Sequence, residues 1–361
     1  MRYRGVCAPQ QRFIRPMTIA RRTLLTTFAA TLASCGGTAK RGVVRGGLDV
    51  RRLADGFAPL AARAKPGVFN LGVLDFHDLT QWSADPIGRY PMQSVFKAPL
   101  AAAALELVDA GGMALSERIH LTDADLSVSA SRINDAWPNP PEGRTMDLPA
   151  VDLIALAVQI SDNTAADTLM RRLGGPAAVT AWLAAKGIAD LRIDRYEREI
   201  QVQIAGMDVF RPAWKDDTVF HTARTGVPAP AREAAMTAYL ADPRDTVTAP
   251  AALDFLHKLA TGALLSPAST RLLLRLMTHT ETGAYRLKAG LPPGARLAHK
   301  TGTAGTDLGL TPATNDIGVV TLADGRHVAV AAFLAGSVAT ETDRESLIAD
   351  AARLVFDCYV K

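Results

Sequence analysis

The sequence predicts an α/β fold: one antiparallel sheet flanked by helices, beside an all-helical lobe, with a cleft between the two. Three observations lead there. Strand-like stretches lie near both ends of the 361-residue chain, while the middle is dominated by helical spacing. The longest apolar run, Ala98 to Val108, is rich in alanine and leucine and closes with Gly111-Gly112, the pattern of a buried helix with a glycine stop. Near the C-terminus, Ala323-Asp324-Gly325-Arg326 joins two apolar stretches with an Asp-Gly turn, a hairpin signal.

Taken in order, Leu48 to Ala64 carries Leu53, Phe57, Leu60 and Ala61 at helical spacing and is broken by Pro66-Gly67. Val68 to Phe76 reads as a strand. After the alanine-rich helix, Met113 to Gly175 reads as helices with loops, Pro138 to Gly143 being a surface loop. Leu148 to Ile160 is an apolar helix, and a second runs from Ser161-Asp162-Asn163 to Leu173. Residues 202 to 243 are a long mixed stretch with Pro212, Pro228 and Pro230, of a length usually associated with function or mobility. Ala251 to Ala260 and Pro267 to Thr278 return to helix. Arg296 to Thr301, Ile317 to Leu322 and His327 to Ala335 are strands, and Glu341 to Tyr359 is a final amphipathic helix. The simplest packing joins residues 48–90 and 280–361 into the α/β lobe and leaves 91–279 as the helical lobe.

Residues 1–34 hold six arginines and no acid. Without them, 34 basic residues face 36 acidic ones, so the formal excess of +4 belongs to the leader and no nucleic-acid surface is implied. Arg21-Arg22, the apolar run Thr23 to Ala33 and the exit Ser34-Cys35 form a bacterial export signal, too short to span a membrane, with Met17 a better start than Met1. Leu32-Ala33-Ser34-Cys35 is similar to a lipobox, which makes Cys35 a lipidation site and 35–47 a flexible tether. The plainer alternative is simple signal cleavage with Cys35 incidental. The expected location is periplasmic, the only membrane contact being the lipid anchor. Cys358 reads as a packing residue, and with Cys35 lipidated no disulfide is expected. The seven histidines show no metal-ligand spacing, so neither metal nor cofactor is expected.

The chemistry starts at Ser94-Val95-Phe96-Lys97. A serine hydroxyl needs a neighbour to take its proton, and a lysine withdrawn from water can do so once its pKa falls. Ser94 before a helix, with Lys97 three residues on, supplies that pair beside free helix N–H groups that suit an oxyanion. Alone, the pattern is as easily an N-cap and a surface lysine. Two further motifs follow in order: Ser161-Asp162-Asn163, otherwise an N-cap cluster, and Lys300-Thr301-Gly302, otherwise a strand end.

This ordered set resembles the class A β-lactamases and their close serine-hydrolase relatives, from about Leu48 to the C-terminus. The resemblance implies the β-lactamase/transpeptidase fold and hydrolysis of a β-lactam amide through an acyl-serine. In that scheme Ser94 is the nucleophile, its own N–H and that of Thr303 form the oxyanion hole, and Lys97 supports proton removal. Ser161 relays a proton to the leaving nitrogen, Asn163 holds the substrate's side-chain amide, and Lys300 and Thr301 hold its carboxylate. Arg195-Tyr196-Glu197 matches the start of the family's Ω-loop, which makes Glu197 the base for the deacylating water and Gln201 its second anchor, where the family has asparagine. Glu199 competes for that role. Arg198 replaces the usual proline, and Asp167 stands where asparagine is commoner. Thr314 replaces an arginine that Arg286 is placed to supply, unless Arg286 belongs to a surface helix. The gating tyrosine corresponds to Ser129, with Trp137 a candidate replacement. Residues 202–243 become a long Ω-loop insertion, closed by Arg195 and Asp245. The expected partner is a β-lactam, the expected state a monomer. Two alternatives share the motifs: a peptidase acting on D-Ala-D-Ala stems, and a lipid-anchored penicillin-binding protein with slow or no turnover.

Overall fold

The computed structural model describes residues 47–137 and 143–359. The export signal, Cys35, nearly all of the tether and most of the Pro138–Gly143 loop lie outside the described residues. No helix among the described residues is long and apolar enough to cross a membrane, and no cluster of three or more His, Cys, Asp or Glu side chains among them is placed to hold a metal.

The chain opens with α1 (Val50–Arg63), capped by the Asp49 carboxylate, and continues into β1 (Val68–Asp75) and β2 (Gln81–Ser83). A short β3 (Tyr90–Pro91) and a 3-10 turn, Gln93–Phe96, lead to α2 (Lys97–Asp109). The middle then holds β4 (Arg118–Thr122), α3 (Arg132–Ala136), β5 (Thr145–Pro149), α4 (Ala150–Gln159), α5 (Asn163–Arg172) and α6 (Pro176–Ala185). It continues with α7 (Glu197–Ile204), α8 (Asp217–Gly226), α9 (Ala229–Ala241), β6 (Thr246–Val247), α10 (Ala249–Ala260) and α11 (Pro267–Thr278). The end supplies β7 (Arg296–Thr303), β8 (Thr311–Thr321), β9 (His327–Ser337) and α12 (Glu341–Asp357).

The main sheet runs β2-β1-β9-β8-β7, antiparallel at every pair. N-terminal and C-terminal strands therefore share one sheet, as their positions in the sequence suggest. On one face, Leu53, Phe57 and Leu60 of α1 and Leu347, Ile348 and Val355 of α12 pack on Leu71, Val73, Val330 and Ala332. The other face, with Ala329, Ala331 and Phe333, joins the core of α2, α4, α5 and α10. Alternation along β9 thus feeds two cores from one strand. Cys358 is buried in the first of them.

Two expectations need correction. The stretch Met113 to Gly175 is not only helices and loops: β4 and β5 pair in antiparallel register, Leu121 opposite Met146. Both strands are largely exposed or half-buried, and the long connection between them carries no tight-turn signal, so neither the alternation nor a hairpin was visible. The stretch 202–243 is mostly helix. Its prolines start helices instead of breaking them: Pro212 opens a 3-10 turn, Pro228 precedes α9 and Pro230 lies in its first turn.

Candidate active site

Ser94 lies half-buried in the 3-10 turn that feeds α2. Lys97 follows the turn as its C-cap, and its backbone N–H donates to the Ser94 carbonyl. The turn is held from several sides. The Asn315 Nδ2 donates to the carbonyls of Pro91 at 2.8 Å and Met92 at 3.1 Å. Strand β7 lies directly on the turn, because a Cβ at Gly302 would meet the Met92 carbonyl at 2.2 Å and only glycine allows that approach.

Lys97 is fully buried. Its ammonium donates to the Ser161 carbonyl at 2.7 Å, to Ser161 Oγ at 3.4 Å and to Asn163 Oδ1. Burial pushes its pKa down, with Glu197, Asp162 and Asp167 pulling it partly back. Ser161, between α4 and α5, adopts φ +64°, a conformation uncommon for serine and one that suggests a functional constraint. Its hydroxyl also accepts from Lys300 Nζ at 3.0 Å. Lys300 is fully buried too, and burial together with the Lys97 charge holds its pKa well below the ordinary lysine value. One hydroxyl is thus flanked by two lysines from opposite lobes. Asp162 faces away from this chemistry. It caps α5 through Ala165 N and accepts from Ser131 Oγ and Ile133 N. Asn163 is clamped at both amide atoms, donating to the Val128 carbonyl at 2.8 Å.

The two candidate glutamates of α7 separate cleanly. Glu199 is exposed and accepts from Tyr196 N at 2.9 Å, capping its own helix. Glu197 is buried, with Oε2 3.9 Å from Lys97 Nζ. That oxygen is buried without a hydrogen-bond donor among the described residues. Oε1 accepts from Gln201 Nε2 at 2.8 Å. Gln201 also donates to Gln93 Oε1 at 3.0 Å, and Gln93 donates to the Tyr239 hydroxyl at 2.6 Å. The Gln201 amide nitrogen therefore holds Glu197 in place. Asp167 accepts from the backbone of Glu197 at 2.7 Å and Arg198 at 3.1 Å. Burial first, then the Glu197 charge, pushes its carboxyl up to about 6.

On the β7 side, Thr301 Oγ1 meets Thr282 Oγ1 at 2.6 Å. Arg286 is 4% exposed and sits in a loop ahead of a 3-10 turn, which rules out the surface-helix alternative. Its guanidinium donates to Thr303 Oγ1 at 2.8 Å, the Asn315 carbonyl at 2.9 Å and Glu345 at 3.0 Å.

The segment from α7 to α9 is closed at a neck. Arg195 Nε donates to Asp245 Oδ2 at 2.5 Å across 50 positions, and Asp245 Oδ1 accepts from the backbone of Asp194 and Arg195. Met92 N donates to the Asp245 carbonyl at 3.0 Å, tying the neck to the Ser94 turn. The side-chain pair joins as its positions suggested.

Ser94, Asn163, Glu197, Gln201 and Thr303 line one cavity of about 420 Å³. Lys97, Ser161 and Lys300 connect to it through the hydrogen bonds above. Ser129, at φ +51°, lines the cavity as well. Trp137 is buried beside a neighbouring pocket instead. Gln93 and Tyr239, which join Gln201 in one chain, and Thr282 were not visible in the sequence. The residues of α8 that line the cavity were equally hidden, the only hint being the length of the insertion.

Three comparisons identify relatives of this chain. The model of the "Beta-lactamase enzyme family" matches residues 52–359. The extended-spectrum β-lactamase PER-1 of Pseudomonas aeruginosa is 31% identical over 285 residues, covering 79% of this chain and 80% of that protein. The β-lactamase VEB-1 of the same organism is 30% identical over 272 residues, 75% and 78% respectively. Among solved structures, a β-lactamase from Chitinophaga pinensis superposes with a TM-score of 0.68 at 31% identity, covering 85% of this chain and 98% of that one. A reconstructed ancestral class A β-lactamase of Gram-negative bacteria gives 0.67 at 32%, covering 84% and 99%. Over most of its length, then, the chain belongs to the β-lactamase enzyme family.

Proposed function

We propose that the protein hydrolyses β-lactams by the class A serine mechanism, with deacylation driven by Glu197. The observation that carries this reading is the buried Glu197 carboxylate, held by Gln201 while Asp167 fixes its backbone N–H, with Oε2 facing Lys97 in the cavity that Ser94 lines. The Ser94 hydroxyl attacks the lactam carbonyl as its proton passes towards Lys97 or Glu197. The C–N bond breaks, and the nitrogen takes a proton through Ser161, which is coupled to both lysines. The acyl ester on Ser94 is then attacked by a water whose proton goes to Glu197, and Ser94 leaves with a proton restored. Lys300, Thr301 and the Arg286–Thr303 pair suit the substrate's carboxylate.

The export motif and the Leu32–Cys35 motif support a periplasmic protein tethered by lipid at Cys35; Cys35→Ser should be released or left unprocessed, and a lipid-free mature protein starting well beyond Cys35 would sink the tether. For the activity, the mature protein is mixed with a chromogenic cephalosporin and its mass followed. Sustained hydrolysis with a transient adduct on Ser94 is expected. A lasting adduct without turnover would favour the slow penicillin-binding alternative.

A further inference from the structure

The segment between the neck residues does more than close on itself. Phe220, His221 and Arg224 of α8 line the same cavity as Ser94, Asn163 and Glu197. We infer that this face of α8 is a subsite for the substrate's acylamido side chain, and that it favours aromatic side chains bearing a carboxylate. The inference rests on the β-lactam reading above and extends it to substrate class.

The floor of the subsite is apolar. Phe220 is buried in a small cluster with Val128, Val202, Ala205 and Trp214, and Ile204 and Ala205 of the α7 end line the cavity beside it. Such a floor suits a ring. Above it the α8 face carries two donors, His221 and Arg224. Arg224 donates to His221 Nδ1 at 3.2 Å, and an imidazole that accepts at Nδ1 carries its proton on Nε2. The pair therefore presents guanidinium N–H groups and an imidazole N–H, and among the described residues Arg224 forms no ion pair with a carboxylate. Two acids share the cavity wall. Asp307 is already engaged by Arg232, which also donates to the Val227 carbonyl just beyond α8. Asp217 lies seven positions before Arg224, roughly 10 Å along the helix axis, so the α8 end of the cavity at Arg224 is its positive end. The carboxylate on the lactam nucleus is met by Lys300 and Thr301 on β7. A group reaching Arg224 must be a second anion, carried by the side chain whose amide Asn163 faces.

The test uses two penicillins that differ by one carboxylate, benzylpenicillin and α-carboxybenzylpenicillin. The readout is the ratio of KM for the carboxylated substrate to KM for the benzyl substrate. A charge-assisted contact supports an increase of about tenfold in this ratio for Arg224→Ala, with Arg224→Lys recovering much of it. In the wild type the ratio should rise with added NaCl, because the contact is exposed enough to be screened; this arm needs no variant and so no assumption about folding. An unchanged ratio in Arg224→Ala together with a salt-independent wild type would overturn the subsite while leaving the hydrolase reading intact. If the wild type neither hydrolyses nor is acylated by either penicillin, the hydrolase reading fails and the subsite with it.

Discussion

Two regions face each other across the Ser94 cavity, and they are held in different ways. On one side, Lys97 and Lys300 are fully buried and their ammonium groups are committed to Ser161, Asn163 and backbone carbonyls. On the other, in the segment from α8 to α9, α8 rests on a small apolar cluster with Val219 largely exposed, while α9 sends Met236 and Tyr239 into the main core. That segment is fastened at a few points: the Arg195–Asp245 neck, the Arg232–Asp307 pair, and a backbone bond from Met92. Burying ammonium groups is costly unless every proton finds an acceptor, so the first region tolerates few arrangements. The second is joined to it at the neck and through the Gln93–Tyr239 bond, and away from those points its α8 wall can change with little disturbance. The difference separates chemistry, which needs fixed charges in a dry site, from selectivity, which needs only a wall of suitable shape and charge.

The largest effects should come from the buried side. Ser94→Ala should lower hydrolysis on the order of 10⁵-fold and abolish covalent labelling by penicillins; a persisting acyl adduct on that variant would falsify the nucleophile. Next, Glu197→Gln should still acylate but accumulate the adduct, with turnover reduced about 10²- to 10⁴-fold. Glu199→Gln should turn over almost normally, since glutamine keeps an oxygen for the Tyr196 N–H and the residue lies outside the Ser94 cavity. Intact mass spectra taken during turnover distinguish the two. If Glu199→Gln traps the adduct and Glu197→Gln does not, the roles assigned to the two glutamates are reversed.

This contrast also explains what the sequence revealed. Ser94 and Lys97 were legible as a hydroxyl and a lysine at helical spacing, and they gained a role, with Ser161 and Lys300, through the family resemblance that the three ordered motifs carry. The terminal strands were legible as β-branched apolar stretches bounded by turn signals, the Asp-Gly turn above all. The register from Arg195 favoured Glu197 over Glu199, and packing agrees: both lie in the first turn of a helix, and Glu197 is the one that turns inward. The prolines of the insertion misled because proline both breaks helices and starts them. Gln93 was invisible for another reason: it adopts φ +46° and acts through a chain of amides whose ends, Gln201 and Tyr239, lie far apart in sequence.

The neck should give the next effect down. Asp245 is buried and serves three donors, Arg195 Nε and two backbone amides. Desolvation pushes its carboxyl pKa up while Arg195 pulls it down. A buried pair of this kind is weak evidence of stabilisation, yet removing one partner is costly because the other charge is stranded. Asp245→Ala should therefore cost about 3–5 kcal/mol, read from urea unfolding. It should also loosen the Ser94 turn through the bond from Met92, so turnover should fall in the folded fraction. A loss below about 1 kcal/mol, within the range of exposed pairs, would mean that the segment is held by its other contacts.

The smallest effect concerns the far fastening and tests whether the two regions are independent. Arg232 and Asp307 form a pair that is nearly buried on both sides, and Asp307 lines the cavity. Replacing Arg232 by glutamine removes the positive partner and leaves a carboxylate facing the space where a side-chain anion would sit. An incoming carboxylate then meets a like charge, which works against an anionic side chain, while the Ser94 chemistry on the buried side keeps its own partners. The KM ratio of α-carboxybenzylpenicillin to benzylpenicillin should therefore rise about threefold in Arg232→Gln, the size of a partly screened charge contact. Arg232→Gln combined with Asp307→Asn should bring the ratio back, because the unpaired charge is gone although the fastening is still broken. Non-additivity of that sign is expected only if the pair acts through charge. If the double variant keeps the raised ratio, the pair acts by holding α8 in place, and the wall's selectivity depends on its position and not on the charge of Asp307.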